Sequence, residues 1–251
     1  MTGAAVDLSG PEEITGDLTV IDHGSIQSFK SSTLEKIGGE LRLNNVQILR
    51  DIQFPELKEA QKVSILTAPA LGSLIFGPLT KADEVTISDT PLTALDAIDV
   101  VTLNKLDINN NRRLEKFATQ LKSLSDIMNI HANGINGLGL SVEMPNLVWI
   151  ANMTVANVTE FSVPSLKVVN GSARFDFNFF ESFSAPNLTH TEDGDISFVG
   201  NGALTNMTFP KLTEVGGGLT IANNTGLDRM TFFPKLEHVF GAVKLRGNFT
   251  E

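Results

Sequence analysis

The feature that most constrains this chain is a phrase it repeats. A proline followed closely by leucine recurs in Phe54-Pro55-Glu56-Leu57, Gly77-Pro78-Leu79-Thr80, Met144-Pro145-Asn146-Leu147 and Val163-Pro164-Ser165-Leu166. It returns in Ala185-Pro186-Asn187-Leu188, Phe209-Pro210-Lys211-Leu212 and Phe233-Pro234-Lys235-Leu236. Successive prolines lie 19–24 residues apart, except for one gap about three times as long that holds two degenerate copies. A period of roughly 20–30 residues marks a solenoid, whose units cannot bury an apolar face alone and must stack on their neighbours. Function in such a chain resides on an extended surface rather than in one deep pocket.

Between the prolines runs a second series, of the form apolar-x-apolar. It reads Leu18/Val20, Leu41/Leu43, Val63/Ile65, Val85/Ile87, Leu106/Ile108 and Met128/Ile130. It continues as Met153/Val155, Ala173/Phe175, Ile196/Phe198, Leu219/Ile221 and Val243/Leu245, eleven pairs in all. Alternation of period two over a few residues, broken by Gly, Asn and Pro, predicts short strands. The best helical candidate, Leu114–Ile127, is short and sits where the repeat degenerates. The expected fold is all-β: a right-handed parallel β-solenoid of roughly eleven rungs, each about 22 residues long, filling 1–251 as a single repeat domain. Each rung should place one strand at the apolar pair and a second extended piece near the P-x-L-x-x-V phrase. Proline belongs at the first residue of that piece or in the turn before it, where its missing N–H costs nothing.

A polar column accompanies the repeat. Asn111, Asn133, Asn178, Asn201, Asn224 and Asn248 stand three residues after the second apolar of a pair. Stacked at the same bend, such amides can bond the backbone of the next rung, and Asn tolerates the left-handed conformation bends require. This reads as a structural ladder.

The net charge of −10, with acids and bases interspersed, argues against nucleic acid. No apolar run approaches the ~18–20 residues of a membrane helix. Cysteine is absent, which removes disulfides, thiolate metal sites and cysteine nucleophiles. N-x-S/T sequons occur at Asn152, Asn157, Asn170, Asn187, Asn206, Asn223 and Asn248. About three would be expected by chance, so the excess indicates a secreted glycoprotein. Asn170, Asn206 and Asn223 should be open to modification, whereas Asn248 should be tied into the ladder. The chain opens on Met1-Thr2-Gly3-Ala4 without an apolar leader and stops mid-rung, which reads as trimming to the repeat core.

The stretch from Phe209 to Thr250, FPKLTEVGGGLTIANNTGLDRMTFFPKLEHVFGAVKLRGNFT, resembles the fungal GPI-anchored cell-wall proteins of the extracellular-mutant and sporulation-specific family. The resemblance runs over nearly the whole chain. It implies a receptor-L-domain-like solenoid related to leucine-rich repeats, and an extracellular glycoprotein needed for cell-wall organisation and integrity. Its implied partners are wall components or other wall proteins, polysaccharide included. Membrane association would come only through a GPI anchor after a Ser/Thr-rich tail. The family brings no catalytic residues and no cofactor. Its members carry cysteines near the ends of the repeats, and this chain has none.

The residues also bear on two other readings. A β-helix carbohydrate-active enzyme needs paired carboxylates across adjacent rungs. The outward residue between each apolar pair reads Thr19, Arg42, Ser64, Thr86, Asp107, Asn129, Thr154, Arg174, Ser197, Thr220 and Lys244, with one acid among them. A receptor-like L domain recognising a peptide or protein ligand is the second reading, since a sheet face of Thr, Ser, Asn and Arg without rings suits a protein-docking face better than a sugar slot. Glu192-Asp193-Gly194-Asp195 is far from a full calcium loop and reads as a solvated turn. His190 with Glu192 is the one conceivable acid–base couple. The cluster Phe175, Phe177, Phe179, Phe180 and Phe183 reads as core with one or two exposed members.

Overall fold

The computed structural model describes residues 4–96, 98–135 and 139–249. All eleven apolar pairs lie in strands, and each pair sits in register with the next. Leu18 and Val20 face Leu41 and Leu43, which face Val63 and Ile65, and so on to Ile221 opposite Leu245. Every one of these ten ladder steps is parallel. No helix occurs among the described residues. The Leu114–Ile127 stretch instead supplies Lys116–Ala118 and the start of Ser123–His131.

The rung that starts at Pro186 shows how the repeat builds itself. The Leu188 N–H donates to the Ala185 carbonyl at 3.2 Å, closing a β-turn with Pro186 at its second position. Proline's fixed φ is pre-set for that position. The same Leu-to-(i−3) bond recurs at Leu57, Leu147, Leu166, Leu212 and Leu236, which explains why proline and leucine keep their spacing. His190–Thr191 then forms a short strand, the chain bends over Glu192–Asp195, and Ile196–Val199 forms the ladder strand. Gly200 turns left-handed, Asn201 enters the interior, and Leu204 closes a second β-turn by bonding the Asn201 carbonyl at 3.1 Å. Asn206–Thr208 returns along the far side to the next proline.

The bends before the ladder strands are packed backbone on backbone. A Cβ on Gly216 would sit 1.5 Å from the Glu192 carbonyl oxygen, and one on Gly194 would sit 2.0 Å from the Gly171 carbonyl carbon. No side chain fits there, so these glycines are required by close approach.

A left-handed residue stands two places after the second apolar in ten successive rungs: Asp22, Asn45, Thr67, Asp89, Asn110, Ala132, Asn157, Phe177, Gly200 and Asn223, with φ of 51–71°. Next to it runs the interior column. Asn111, Asn133, Asn178, Asn201 and Asn224 are all buried. The Asn201 Oδ1 accepts the Asn178 N–H at 2.8 Å and its amide at 3.0 Å, while the Asn201 Nδ2 donates to the Phe175 carbonyl at 2.9 Å. Asn224 repeats this bonding one rung later, and Asn133 does so toward Asn111. Asn248 is the sixth member of the column by its spacing. It is exposed and makes no ladder bond, since no described rung stacks beyond it to bury the amide.

Apart from the asparagine column and a few buried hydroxyls the interior is apolar from rung to rung, with two aromatic stacks. Phe29, Phe54 and Phe76 form one, their neighbouring centroids 5.1 and 6.4 Å apart. Phe161, Phe175, Phe183, Phe198, Phe209 and Phe233 form the other. Within the cluster singled out from the sequence, Phe175, Phe180 and Phe183 are buried. Phe177 is 66% exposed and Phe179 43% exposed.

The return strands form a third set, which the sequence pattern did not announce. Ala4–Asp7, Ile26–Lys30, Asp51–Phe54 and Ser73–Phe76 make one sheet. Lys116–Ala118, Leu140–Glu143 and Val158–Ser162 make a second, and Ser182–Ser184 with Asn206–Thr208 a third. The return face is thus interrupted twice, whereas the ladder face is continuous.

Candidate functional site

The ladder face presents the outward column in the order read from the sequence, and it is tied together by polar contacts between rungs. Asn109 donates to Asp107 at 2.7 Å and accepts from the Ser88 hydroxyl at 2.8 Å. Lys62 pairs with Glu84 at 2.7 Å across one rung. Asp107 therefore sits within a hydrogen-bonded row, and no second carboxylate joins it in that column. Asp195, the last residue of the Glu192–Asp195 bend, has its Oδ1 occupied by the Gly218 N–H at 2.6 Å. His190 and Glu192 lie 3.5 Å apart on a partly exposed turn, and the His190 Nδ1 is shared with the Thr189 hydroxyl at 2.9 Å.

One carboxylate on this face stands apart. Asp176 pairs in register with Ala156 below and Val199 above, neither of which can donate from its side chain. Its Oδ1 is buried without a hydrogen-bond partner. Burial pushes the Asp176 carboxyl above its ordinary value, opposed by the nearby Arg174 charge.

The sequon asparagines divide by their surroundings. Asn170, Asn206 and Asn223 are exposed, on the bend before a ladder strand, on a return strand and at the left-handed corner respectively. Asn152 is held between rungs, donating to the Asp126 carbonyl at 3.3 Å and accepting the Ser172 N–H at 3.0 Å. Asn187 donates to the Pro164 carbonyl at 2.8 Å and accepts from Lys211 at 2.7 Å. Asn157 is half-buried at the corner with φ 61°.

Clefts open at the bend beside Lys36, Glu59 and Lys81 (about 480 Å³) and at the corners beside Pro69 and Pro91 (about 540 Å³), and two more lie on the return face, where the sheets break. One cleft of about 610 Å³ lies between Val158–Ser162 and Ser182–Ser184. A shallower one of about 360 Å³ flanks Ser73–Phe76. The larger has a traceable origin. From the second ladder apolar to the inward residue of the return strand, most rungs use eight or nine residues, as in Phe175 to Phe183 or Phe198 to Met207. Val155 to Phe161 uses six, so the return strand arrives early. The shortened spacing was visible in the sequence, but its effect on pairing was not.

Protein ecm33 of Aspergillus fumigatus is 36% identical over 270 aligned residues, which cover 98% of this chain and 67% of that protein. The chain belongs to this family. Sporulation-specific protein 2 of Saccharomyces cerevisiae is 34% identical over 99% of the chain and 49% of its own length. A cell surface GPI-anchored protein of Arthroderma benhamiae is 35% identical over 98% of the chain and 62% of its own length. The chain thus spans about half to two-thirds of these relatives. Other members carry the names cell wall mannoprotein PST1 and cell wall protein ecm33. Family membership makes this a fungal cell-wall protein, located outside the cell at the wall or the outer face of the plasma membrane. None of the relatives named here bears an enzyme's name. No family profile matches the chain, and no solved structure does.

Proposed function

We propose that the chain is a non-enzymatic wall glycoprotein, built as one solenoid domain and tethered through a GPI anchor, that serves wall organisation as a scaffold and binding surface. The observation that carries this reading is likeness along 98–99% of the chain to proteins named for the wall and for GPI anchoring. The ladder face supports it: short polar side chains joined across rungs give a rigid, hydrated surface, and its acids are not arranged as a facing pair for hydrolysis. The open asparagines Asn170, Asn206 and Asn223 are the proposed glycan carriers. Asn152, Asn157 and Asn187 are proposed as lesser sites, because a glycan on Asn152 or Asn187 would displace inter-rung hydrogen bonds. Partners are wall polymers or neighbouring wall proteins.

The test is deletion of the gene in the native fungus, with a tagged copy restored. Expected outcomes are sensitivity to wall-perturbing dyes, rescue by the tagged protein, and its release from membranes by phosphatidylinositol-specific phospholipase. A tagged protein found inside the cell, or a deletion with normal wall composition and stress response, would overturn the proposal.

A further inference from the structure

The interrupted return face holds a feature that a plain scaffold does not need. Val158–Ser162 pairs with Leu140–Glu143 on one side, and Ser182–Ser184 pairs with Asn206–Thr208 on the other. Between Val158–Ser162 and Ser182–Ser184 no ladder forms, although they belong to adjacent rungs. A single backbone bond, from the Phe179 N–H to the Val158 carbonyl at 2.8 Å, ties the turn to the lower strand. The Val158 N–H also donates to the Asn178 Oδ1 at 3.0 Å, and beyond that residue no ladder joins the two strand edges under the cleft of about 610 Å³.

The lining has a definite chemistry. Phe179 presents a ring that is 43% exposed at the cleft. Glu160 and Glu181 supply carboxylates, and Thr159, Ser162 and Ser182 supply hydroxyls. Glu160 is steadied by the Ser141 hydroxyl at 2.9 Å. Phe161 and Phe180 line the cleft beneath, and Phe161 stacks nearly parallel on the buried Phe183 at 6.3 Å.

These facts select among ligands. An inserted peptide strand would need the two edges about 9–10 Å apart, twice the normal strand spacing. Cα atoms of the two strands come within 8 Å of each other, too close for that. Two carboxylates on the rim oppose an anion. A sugar fits on each count: its hydroxyls both donate and accept, matching carboxylates, serines and open backbone edges, and its C–H face lies against an aromatic ring. The volume lies within the range of small-ligand sites. We propose that this cleft binds a neutral oligosaccharide segment, one pyranose stacked on Phe179 and its hydroxyls bonded to Glu181, Glu160 and Ser182. The inference deepens the wall-scaffold reading and rests on it for the source of the glycan. The same chemistry could come from the protein itself, because Asn206, an open sequon, lies directly opposite Ser182 one rung away.

The test is calorimetric titration of the chain produced without glycans in bacteria, with short β-1,3-glucan, chitin and mannan oligomers as probes. At least one should bind saturably. Phe179→Ala should weaken it about tenfold or more, the scale of one lost ring contact, and Glu181→Gln should weaken it less. Phe177→Ala, a control at the neighbouring corner outside the cleft lining, should leave affinity unchanged. Thermal melts of all three variants would verify folding. No saturable binding by any probe, or binding that Phe179→Ala leaves intact, overturns the proposal for wall glycan. Silence in these titrations, with sugar-to-Phe179 contacts seen by NMR in glycosylated protein and lost in Asn206→Gln, would instead assign the cleft to the protein's own glycan. A tagged protein that still reaches the wall while the cleft fails these tests leaves the scaffold reading standing.

Discussion

Rungs near the start of the stack and rungs near its end reach the same geometry by different means. In the earlier rungs the interior corner column is aliphatic, with Val46 and Ala68, before Thr90 introduces a hydroxyl. Their surfaces are laced by ion pairs one rung apart: Lys30–Asp7, Lys36–Glu13, Lys58–Glu35, Lys81–Glu59 and Lys62–Glu84. From Ala173 onward the corner column is asparagine, the bends are glycine, and the rings of Phe175, Phe198 and Phe209 run through the core. The salt bridges there, His190–Glu192 and Arg229–Asp228, lie within a rung. Register can thus be enforced from the outside by charge or from the inside by amides. The two means differ in strength: exposed ion pairs are weak and screened by salt, whereas a buried amide that loses its partner is costly.

The sharpest way to break the comparison is at the core both regions share. Ile221 is fully buried in the penultimate ladder strand, paired on both sides, so Ile221→Asp should unfold at least the C-terminal rungs. Thr220→Asp, on the outward side, should do little, and coincident thermal melts for the two variants would mean that the inward face is misassigned. Next in size is the amide column. Asn201→Ala strands the Asn178 N–H and the Phe175 carbonyl, at a cost of about 3 kcal/mol. Denaturant melts should show this loss equally at low and high salt.

A smaller effect, of opposite sign, is expected at Asp176. Its folded-state pKa lies above the unfolded value, so the folded protein is favoured while the carboxyl is protonated and loses that advantage as pH rises through the folded pKa. Asp176→Asn should therefore melt higher than the parent at neutral pH, with the gap closing below the ordinary carboxylate value of 3.8. A gap that widens in acid would contradict the burial argument. Smallest of all should be Lys58→Met, which removes the exposed contact to Glu35 at 3.0 Å. Any destabilisation should vanish at high salt, and a salt-independent loss would move these outer pairs into the same class as the amides.

What could be read in advance follows the same division. The ladder strands were legible because each needs two inward residues with one outward between them, and that alternation recurs too often to miss. The asparagine ladder was legible because buried amides must repeat at the same offset to satisfy one another. Ser182–Ser184 was not, since a three-residue strand with one inward ring, Phe183, carries no alternation. The left-handed column was half legible: Asn45, Asp89, Asn110 and Gly200 are types that favour it, while Thr67, Ala132 and Phe177 are held there by the rungs on either side. The partnerless Asp176 oxygen and the cleft beside Phe179 depend on which residues meet from 20 or more positions away, or fail to meet. No local pattern records that.

The unbroken ladder also makes the molecule a length standard. Parallel strands stand about 4.8 Å apart, so ten steps set the first and last ladder strands close to 48 Å from one another. Adding or losing a whole repeat changes that reach by one strand spacing and leaves the cross-section alone. The Phe179 cleft, six to seven steps along, stands roughly 30 Å from the first ladder strand. In a layered matrix, repeat number would then decide the depth at which such a surface is displayed.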